Sequence, residues 1–246
     1  MSYLDDLLDD LVTANRILAS EGVCDAFGHI SVRHPDHPDR YFLSRALAPE
    51  LITRDDIMEF ALDGTPLNGD TRKPYLERFI HGSLMEARPD VQSVVHSHSR
   101  SVLPFTVTKA KLKPMTHSSA TIGFDIPVWD AQTTFGDTNL LVSSVEMGRD
   151  FASVLSDGQS GLMRGHGSTV VGRSIREAVY TAVYLEVNAQ IQLQATSLGP
   201  ITFLTQGEVD LIRSRLGDSK PGEGYDRAWL YWCRNAGVEA KPMPRR

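Results

Sequence analysis

The chain has 246 residues, 41% hydrophobic and 23% charged, an ordinary globular composition with enough apolar material for a sizeable core. A formal net charge of −6 speaks against nucleic acid or an anionic membrane as partner. Two cysteines far apart, Cys24 and Cys233, suit buried thiols in a reducing compartment rather than a disulfide framework. The opening MSYLDDLLDDLV is acidic and does not read as a secretory signal, and no apolar run approaches the ~20 residues of a membrane span. The expectation is a soluble cytoplasmic protein.

Leu4, Leu7, Leu8, Leu11, Ala14 and Leu18 recur at helical spacing and predict a helix over 3–21, ended by Gly22. Short strands follow at 28–34 (GHISVRH), 40–44 (RYFLS) and 58–66, the last turning at Asp63-Gly64. Pro74 suits a helix start, and the spacing predicts a helix over 75–87 that Pro89 stops. VQSVVHSH (91–98) reads as a strand, and 100–142 as a short helix with two or three strands. Ser143 with Glu146, and Ser174 with Glu177, have the S-x-x-E capping spacing and are expected to open two further helices. Between them GLMRGHGSTVVG (161–172) reads as a hairpin with His166 at the bend. The second capped helix runs to about 197, and two more are expected near 206–216 and 225–236. With no repeats and no low-complexity linker, the order suggests one α/β domain over 1–246, with C-terminal helices after about 198.

The chemistry centres on SVVHSHSR (93–100). On a strand, His96 and His98 project from one face, and neutral imidazoles so placed can share a divalent ion. Two polar residues on a solvated strand face is the plain alternative, but Val94 and Val95 lead into the pair and mark the strand as at least half buried. His166 lies between two glycines in RGHG, which permit a tight bend and a close approach to another group. Glu77 is the carboxylate candidate, placed in the first helical turn, where the dipole favours its ionised form. His81 follows it by one turn and is expected on the same helix face. His34 and His37, in the polar loop RHPDHPDR, are expected to face solvent.

Together GHISVR (28–33), KPYLERFIHGSLMEARPDVQSVVHSH (73–98), TTFGD (133–137) and GLMRGHG before a capped long helix resemble the class II aldolase/adducin family over about residues 5–195. The resemblance implies a three-layer α/β/α sandwich around a mostly antiparallel sheet. It also implies a homotetramer with active sites at subunit interfaces. It assigns metal binding to His96, His98 and His166, and acid/base work, with possible reach to the metal, to Glu77. One divalent ion per subunit is expected, Zn, Mn, Fe or Co.

The departures from the family's sugar-phosphate aldolases are informative. His29 stands where those enzymes have Asn, SRALA (44–48) replaces a loop of small hydroxyl and glycine residues, and Tyr75 and Leu76 replace two serines before the Glu. These changes remove a phosphate cradle. Ser118 aligns with the family's proton-donating Tyr, which weakens an aldolase reading further. Arg45, Arg72, Lys73 and Arg164 lie in segments expected to approach the metal, although any single Arg reads more readily as a surface charge, and Arg suits a carboxylate. DAFGHISVR (25–33) with FLSRALAPELIT (42–53) resembles the branch of metal-dependent decarboxylases acting on hydroxylated aromatic or pyridine dicarboxylates. The expected substrate-binding residues are Ser44, Arg45, Arg72, Tyr75 and Arg164. Glu77, in an apolar pocket that would raise its pKa, is expected to move the proton, with His29 or His117 as helpers. The alternatives are an aldolase for a non-phosphorylated hydroxy-oxo acid, an iron-dependent oxygenase, and a non-catalytic adducin-like module.

Overall fold

A computed structural model of the chain describes residues 2–217 and 223–241. In chain order the elements are α1 (Tyr3–Ser20), β1 (His29–Arg33), β2 (Arg40–Ser44), β3 (Ile57–Ala61), α2 (Arg78–Ala87), β4 (Ser93–Ser97), α3 (Leu103–Thr106) and β5 (Val128–Trp129). There follow α4 (Ala131–Phe135), α5 (Val145–Leu155), β6 (Ser160–Met163), β7 (Gly167–Gly172), α6 (Ile175–Thr196), α7 (Gln206–Gly217) and α8 (Tyr225–Asn235). The strands form one seven-stranded sheet in the order β3-β2-β1-β4-β7-β6-β5. Only β5 and β6 pair in parallel, so the sheet is mostly antiparallel, as expected.

Strand alternation builds a core on each side of this sheet. Ile30, Val95 and Val170 pack with Leu11 and Leu18 of α1, Val179 of α6 and Trp229 of α8. Leu43, Val94 and Val171 pack with Ile80 and Leu84 of α2 and Phe151 of α5. Consecutive Val94 and Val95 thus serve opposite cores, and the architecture is the expected α/β/α sandwich. The first layer owes its start to a capping box in which Ser2 Oγ accepts from Asp5 N–H and Asp5 accepts from Ser2 N–H.

Three local expectations need correction. The helix predicted from residue 75 begins at Arg78, which leaves Glu77 at the N-cap position with no capping bond from its side chain. The cap of α5 is Ser144, whose hydroxyl accepts from Met147 N–H at 3.3 Å, not Ser143. The region 100–142 holds a single two-residue strand rather than two or three. The reason is that amide side chains of α6 do the work of a neighbouring strand: Asn188 accepts from Met115 N–H and donates to the Lys113 carbonyl, and Gln192 does the same for Lys113 N–H and the Lys111 carbonyl.

The second helical layer depends on a glycine contact. A methyl carbon at Gly148 of α5 would lie 2.6 Å from the Phe79 carbonyl oxygen and 2.5 Å from Ser83 Oγ on α2. Alanine would improve helix propensity by about 1 kcal/mol, but overpacking of this kind costs about 1–3 kcal/mol. Because one clashing atom is backbone, the steric term should win. Gly148→Ala is expected to lower the midpoint of urea unfolding, and an unchanged or raised midpoint would show that the two helices can separate freely.

Candidate metal centre

β4 is buried at all five positions. Its register with β1 sets His29 opposite His96 and Ser31 opposite Val94, and its register with β7 sets Thr169 opposite His96. Register partners share a sheet face, so these side chains look toward α2. His98 lies one residue past the end of β4, at the mouth of the β6–β7 hairpin whose bend carries His166. The two glycines of RGHG have separate roles there. Gly165 has φ +66°, which a glycine adopts freely, while a methyl at Gly167 would stand 2.3 Å from the Ser97 carbonyl oxygen and 2.9 Å from the His98 ring.

The consequence is a cluster of Glu77, His96, His98 and His166, each offering one ligand atom, all within 4.8 Å of one another. His96 Nε2 is 3.1 Å from His98 Nε2, and Glu77 Oε2 lies 3.6 Å from His96 Nε2 and 3.4 Å from His166 Nε2. The outer contacts aim this set. Thr169 Oγ1 lies 3.4 Å from His96 Nδ1, and Val142 N–H donates to Glu77 Oε1 at 3.1 Å. Burial pushes the Glu77 carboxyl up, but the His96 and His166 rings outweigh it and hold the group well below the usual carboxylate range. The raised pKa expected from the sequence is therefore reversed, and the cause of ionisation is these neighbours rather than a first-turn dipole. Burial, then His96 and His166, lowers His98 to about 4.

Three neutral imidazoles and one carboxylate are the donor set of a divalent transition ion. Both ring nitrogens of His166 are buried without a well-formed hydrogen bond, and Nε2 faces the cluster 3.4 Å from Glu77 Oε2. Such a buried nitrogen is costly to leave unpaired, and a metal fits at Nε2.

The cluster opens into a cavity of about 530 Å³. Its walls include Phe27, Leu47, Tyr75, Leu76 and Leu141, with Lys73 as the one cation among the described lining residues. Tyr75 is placed here as the sequence suggests: its ring lies 4.4 Å from that of His29, and its hydroxyl donates to the Leu47 carbonyl. Arg45, Arg72 and Arg164 do not line the cavity. Arg45 pairs with Asp56 at 2.6 Å, Arg164 with Asp130 at 2.7 Å, and Arg72 with Asp70 and the Asp55 and Ile57 carbonyls. Ser44 is buried at the end of β2. His117 is exposed and borders an outer groove with Arg215 and Arg227. His34 is buried rather than solvent-facing, because its Nδ1 accepts from the Asp36 and His37 N–H groups. His81 turns away from Glu77 toward β1, where it meets His29 and Ser31. That pairing, Thr169 and the Val142 N–H escaped sequence reasoning, since the first two depend on strand register and the third on how the segment before α5 lies against Glu77.

The family model described as Class II Aldolase and Adducin N-terminal domain matches residues 9–193. The chain belongs to the class II aldolase and adducin family. It is 37% identical over 247 residues to Decarboxylase tropJ of Talaromyces stipitatus, covering 91% of each chain. It is 29% identical to the 3,4-dihydroxyphthalate decarboxylase of Arthrobacter keyseri, covering 77% of this chain and 78% of that one. Among solved structures, L-fuculose 1-phosphate aldolase from Glaciozyma antarctica superposes with a TM-score of 0.72 at 27% identity, over 94% of this chain and 88% of the other.

Purified protein is expected to bind one divalent ion per chain. His166→Ala should weaken this at least ~100-fold in a chelator competition, and Thr169→Val, which touches only the outer contact, about tenfold. Equal affinities in all three proteins would dissociate these residues from the metal. In metal-free protein, His98 at about 4 and His81, lowered to about 3 by burial and then by His96, lie below the ordinary imidazole value of 6.5. Between these values the unfolded chain holds more protons than the native one, so stability is full above 6.5 and declines as pH falls through that window. Urea midpoints of the metal-free protein should therefore drop between about pH 7 and about pH 5. A flat profile would mean these rings are not buried as described.

Proposed function

We propose that this chain is a metal-dependent decarboxylase that releases CO₂ from a hydroxylated aromatic or heteroaromatic carboxylic acid. The observation that carries the reading is the pairing of an intact three-histidine, one-glutamate centre with a cavity walled by Phe27, Leu47, Tyr75 and Leu76. An aryl ring suits such walls, whereas a sugar phosphate needs hydroxyl and N–H donors that Tyr75 and Leu76 do not replace. Two relatives carrying decarboxylase names support the same choice. The intact cluster weighs against a non-catalytic module, which has no use for it.

His96, His98, His166 and Glu77 would hold one divalent ion, Zn, Mn, Fe or Co, which when bound would supply Lewis-acid stabilisation of the electron pair left when the C–C bond breaks. The residues divide the remaining work. Glu77 rests ionised, so it takes the proton of the substrate's hydroxyl as substrate binds and returns it to the ring carbon that loses CO₂, and the product's hydroxyl regains a proton from solvent. The net change is one aryl carboxylate and one proton converted to one arene and one CO₂. Tyr75 and Leu76 hold the ring edge, and His29 contacts a ring substituent. Lys73 is the cation available for a second carboxylate, in place of Arg45, Arg72 and Arg164, whose charges are already paired. A homotetramer with interfacial sites accompanies this reading. Phe27 and Leu76, 66% and 59% exposed near the cavity mouth, are surfaces a neighbouring chain would cover.

Incubation of the metal-loaded protein with a panel of hydroxybenzoates and hydroxyphthalates, with and without O₂, is expected to release CO₂ equally in both conditions. Glu77→Gln should lower kcat by at least ~100-fold, as loss of a proton-transfer group does, in protein shown to retain metal. An aldehyde released from a hydroxy-oxo acid would favour the aldolase, and O₂ uptake the oxygenase. Full turnover by Glu77→Gln with metal bound would remove Glu77 from proton transfer.

A further inference from the structure

Two segments supply much of the cavity wall away from the histidines. One is the SRALA loop, through Ala46, Leu47 and Ala48, and the other is residues 73–76, which lead to Glu77. They are joined to each other. Ala46 N–H donates to the Lys73 carbonyl at 2.9 Å, Arg45 and Pro74 form an antiparallel bridge, and the Tyr75 hydroxyl donates to the Leu47 carbonyl. Residues 45–48 and 73–76 belong to no helix or named strand, so these bonds alone would leave the two free to move as one flap.

A third segment, the turn 53–57, restrains both. Arg45 N–H donates to the Asp56 carbonyl at 2.8 Å, and Arg45 Nε donates to Asp56 Oδ1 at 2.6 Å. Arg72, one residue before Lys73, donates to the Asp55 and Ile57 carbonyls. Each wall segment thus carries an arginine that ends on the same turn. The turn itself is fixed from within and from below. Asp56 Oδ2 accepts from the Thr53 N–H at 2.9 Å and from the Thr53 hydroxyl at 2.7 Å. Arg54 pairs with Asp5 and with Asp9 of α1, both at 2.9 Å. Burial pushes the Asp56 carboxyl up, but the Thr53 bonds and Arg45 outweigh it and hold the group below the usual carboxylate range. An ionised acceptor makes the stronger hydrogen bond.

We propose that Arg45, held by Asp56, is a positioning residue: it fixes the SRALA loop, and through it Leu47 and Tyr75, at the spacing that grips an aromatic ring, without touching the ring or its carboxylate. A guanidinium that read the substrate directly would act on a carboxylate alone. One that positions the wall acts on every ring the wall touches. The donor at Nε is then what matters, rather than the charge. Glutamine places its amide nitrogen the same number of bonds from the backbone, whereas methionine places a methyl there. That the ligand is an aromatic ring rests on the decarboxylase reading, but the anchoring of the loop does not.

The test is calorimetric titration of zinc-loaded proteins with 2,3-dihydroxybenzoate and with catechol, which lacks the carboxylate. Arg45→Met is expected to bind both about tenfold more weakly than the parent, at equal zinc content, and Arg45→Gln within about threefold of it. Asp56→Asn, whose amide oxygen can still accept from Thr53 while its NH₂ group meets Arg45, is expected to match Arg45→Met, and it decides the matter if Arg45→Met does not fold. Amide hydrogen exchange needs no ligand. The Ala46 and Leu47 amides should exchange about tenfold faster in Arg45→Met and Asp56→Asn than in the parent and Arg45→Gln. Parent-like binding or parent-like exchange in Arg45→Met overturns the proposal. So does equal loss of dihydroxybenzoate by Arg45→Met and Arg45→Gln with catechol binding intact, which would make Arg45 a direct carboxylate ligand. Failure of the decarboxylase reading has a different signature, no binding of either compound by the parent while loop exchange changes as stated.

Discussion

Burying an imidazole costs free energy unless each nitrogen finds a partner, and the centre of this protein buries several side by side. β4 has no face toward water, because Val94 and Val95 enter separate cores, and His96 at its end is fully buried. The surroundings answer that constraint atom by atom. Thr169 takes one nitrogen of His96, Val142 N–H takes one oxygen of Glu77, and His81 takes one nitrogen of His29. What the protein leaves facing one another without protein donors are the inward atoms, His96 Nε2, His98 Nε2, His166 Nε2 and Glu77 Oε2. A divalent ion is the partner whose charge and coordination fit those atoms together.

The same register that satisfies the histidines also builds the cavity. Opposing His29 to His96 sets β1 between β4 and β2, the strand that leads into the SRALA loop, and Tyr75 and Leu76 then close the side left open at the start of α2. A hydroxyl-rich segment at these positions would make a polar, phosphate-sized recess. Aromatic and aliphatic side chains instead wall the cavity beside the histidine cluster, and one exposed lysine remains at the wall. The fold is shared with L-fuculose 1-phosphate aldolase, and on the proposed reading a handful of wall residues would carry the difference in chemistry.

The cluster of three histidines and a glutamate was legible because its signals are local. The H-x-H spacing, apolar lead-in residues and a histidine on a glycine bend each follow from strand geometry, and Glu77 stood out as the carboxylate in a helix's first turn, its role implied by family resemblance. The cores were legible for the same reason. The arginines were not, since an Arg reads alike whether free or paired, and Asp56 and Asp130 are distant in sequence from nothing that marks them as partners of Arg45 and Arg164. The segment 100–142 misled because Asn188 and Gln192 supply from a helix the hydrogen bonds that extended residues ordinarily find in a sheet. His81 was assigned to the Glu77 face because helix spacing permits it, but β1 offers its ring two partners there.

Restoration of activity by metal tests the central claim most directly. Chelated, metal-free protein would be titrated with Zn, Mn, Fe(II) or Co while CO₂ release from a hydroxylated aromatic carboxylate is followed. The account predicts no CO₂ without metal and a linear recovery that ends at one equivalent per chain. Undiminished CO₂ release by the metal-free protein, or no release at any metal loading, would contradict it.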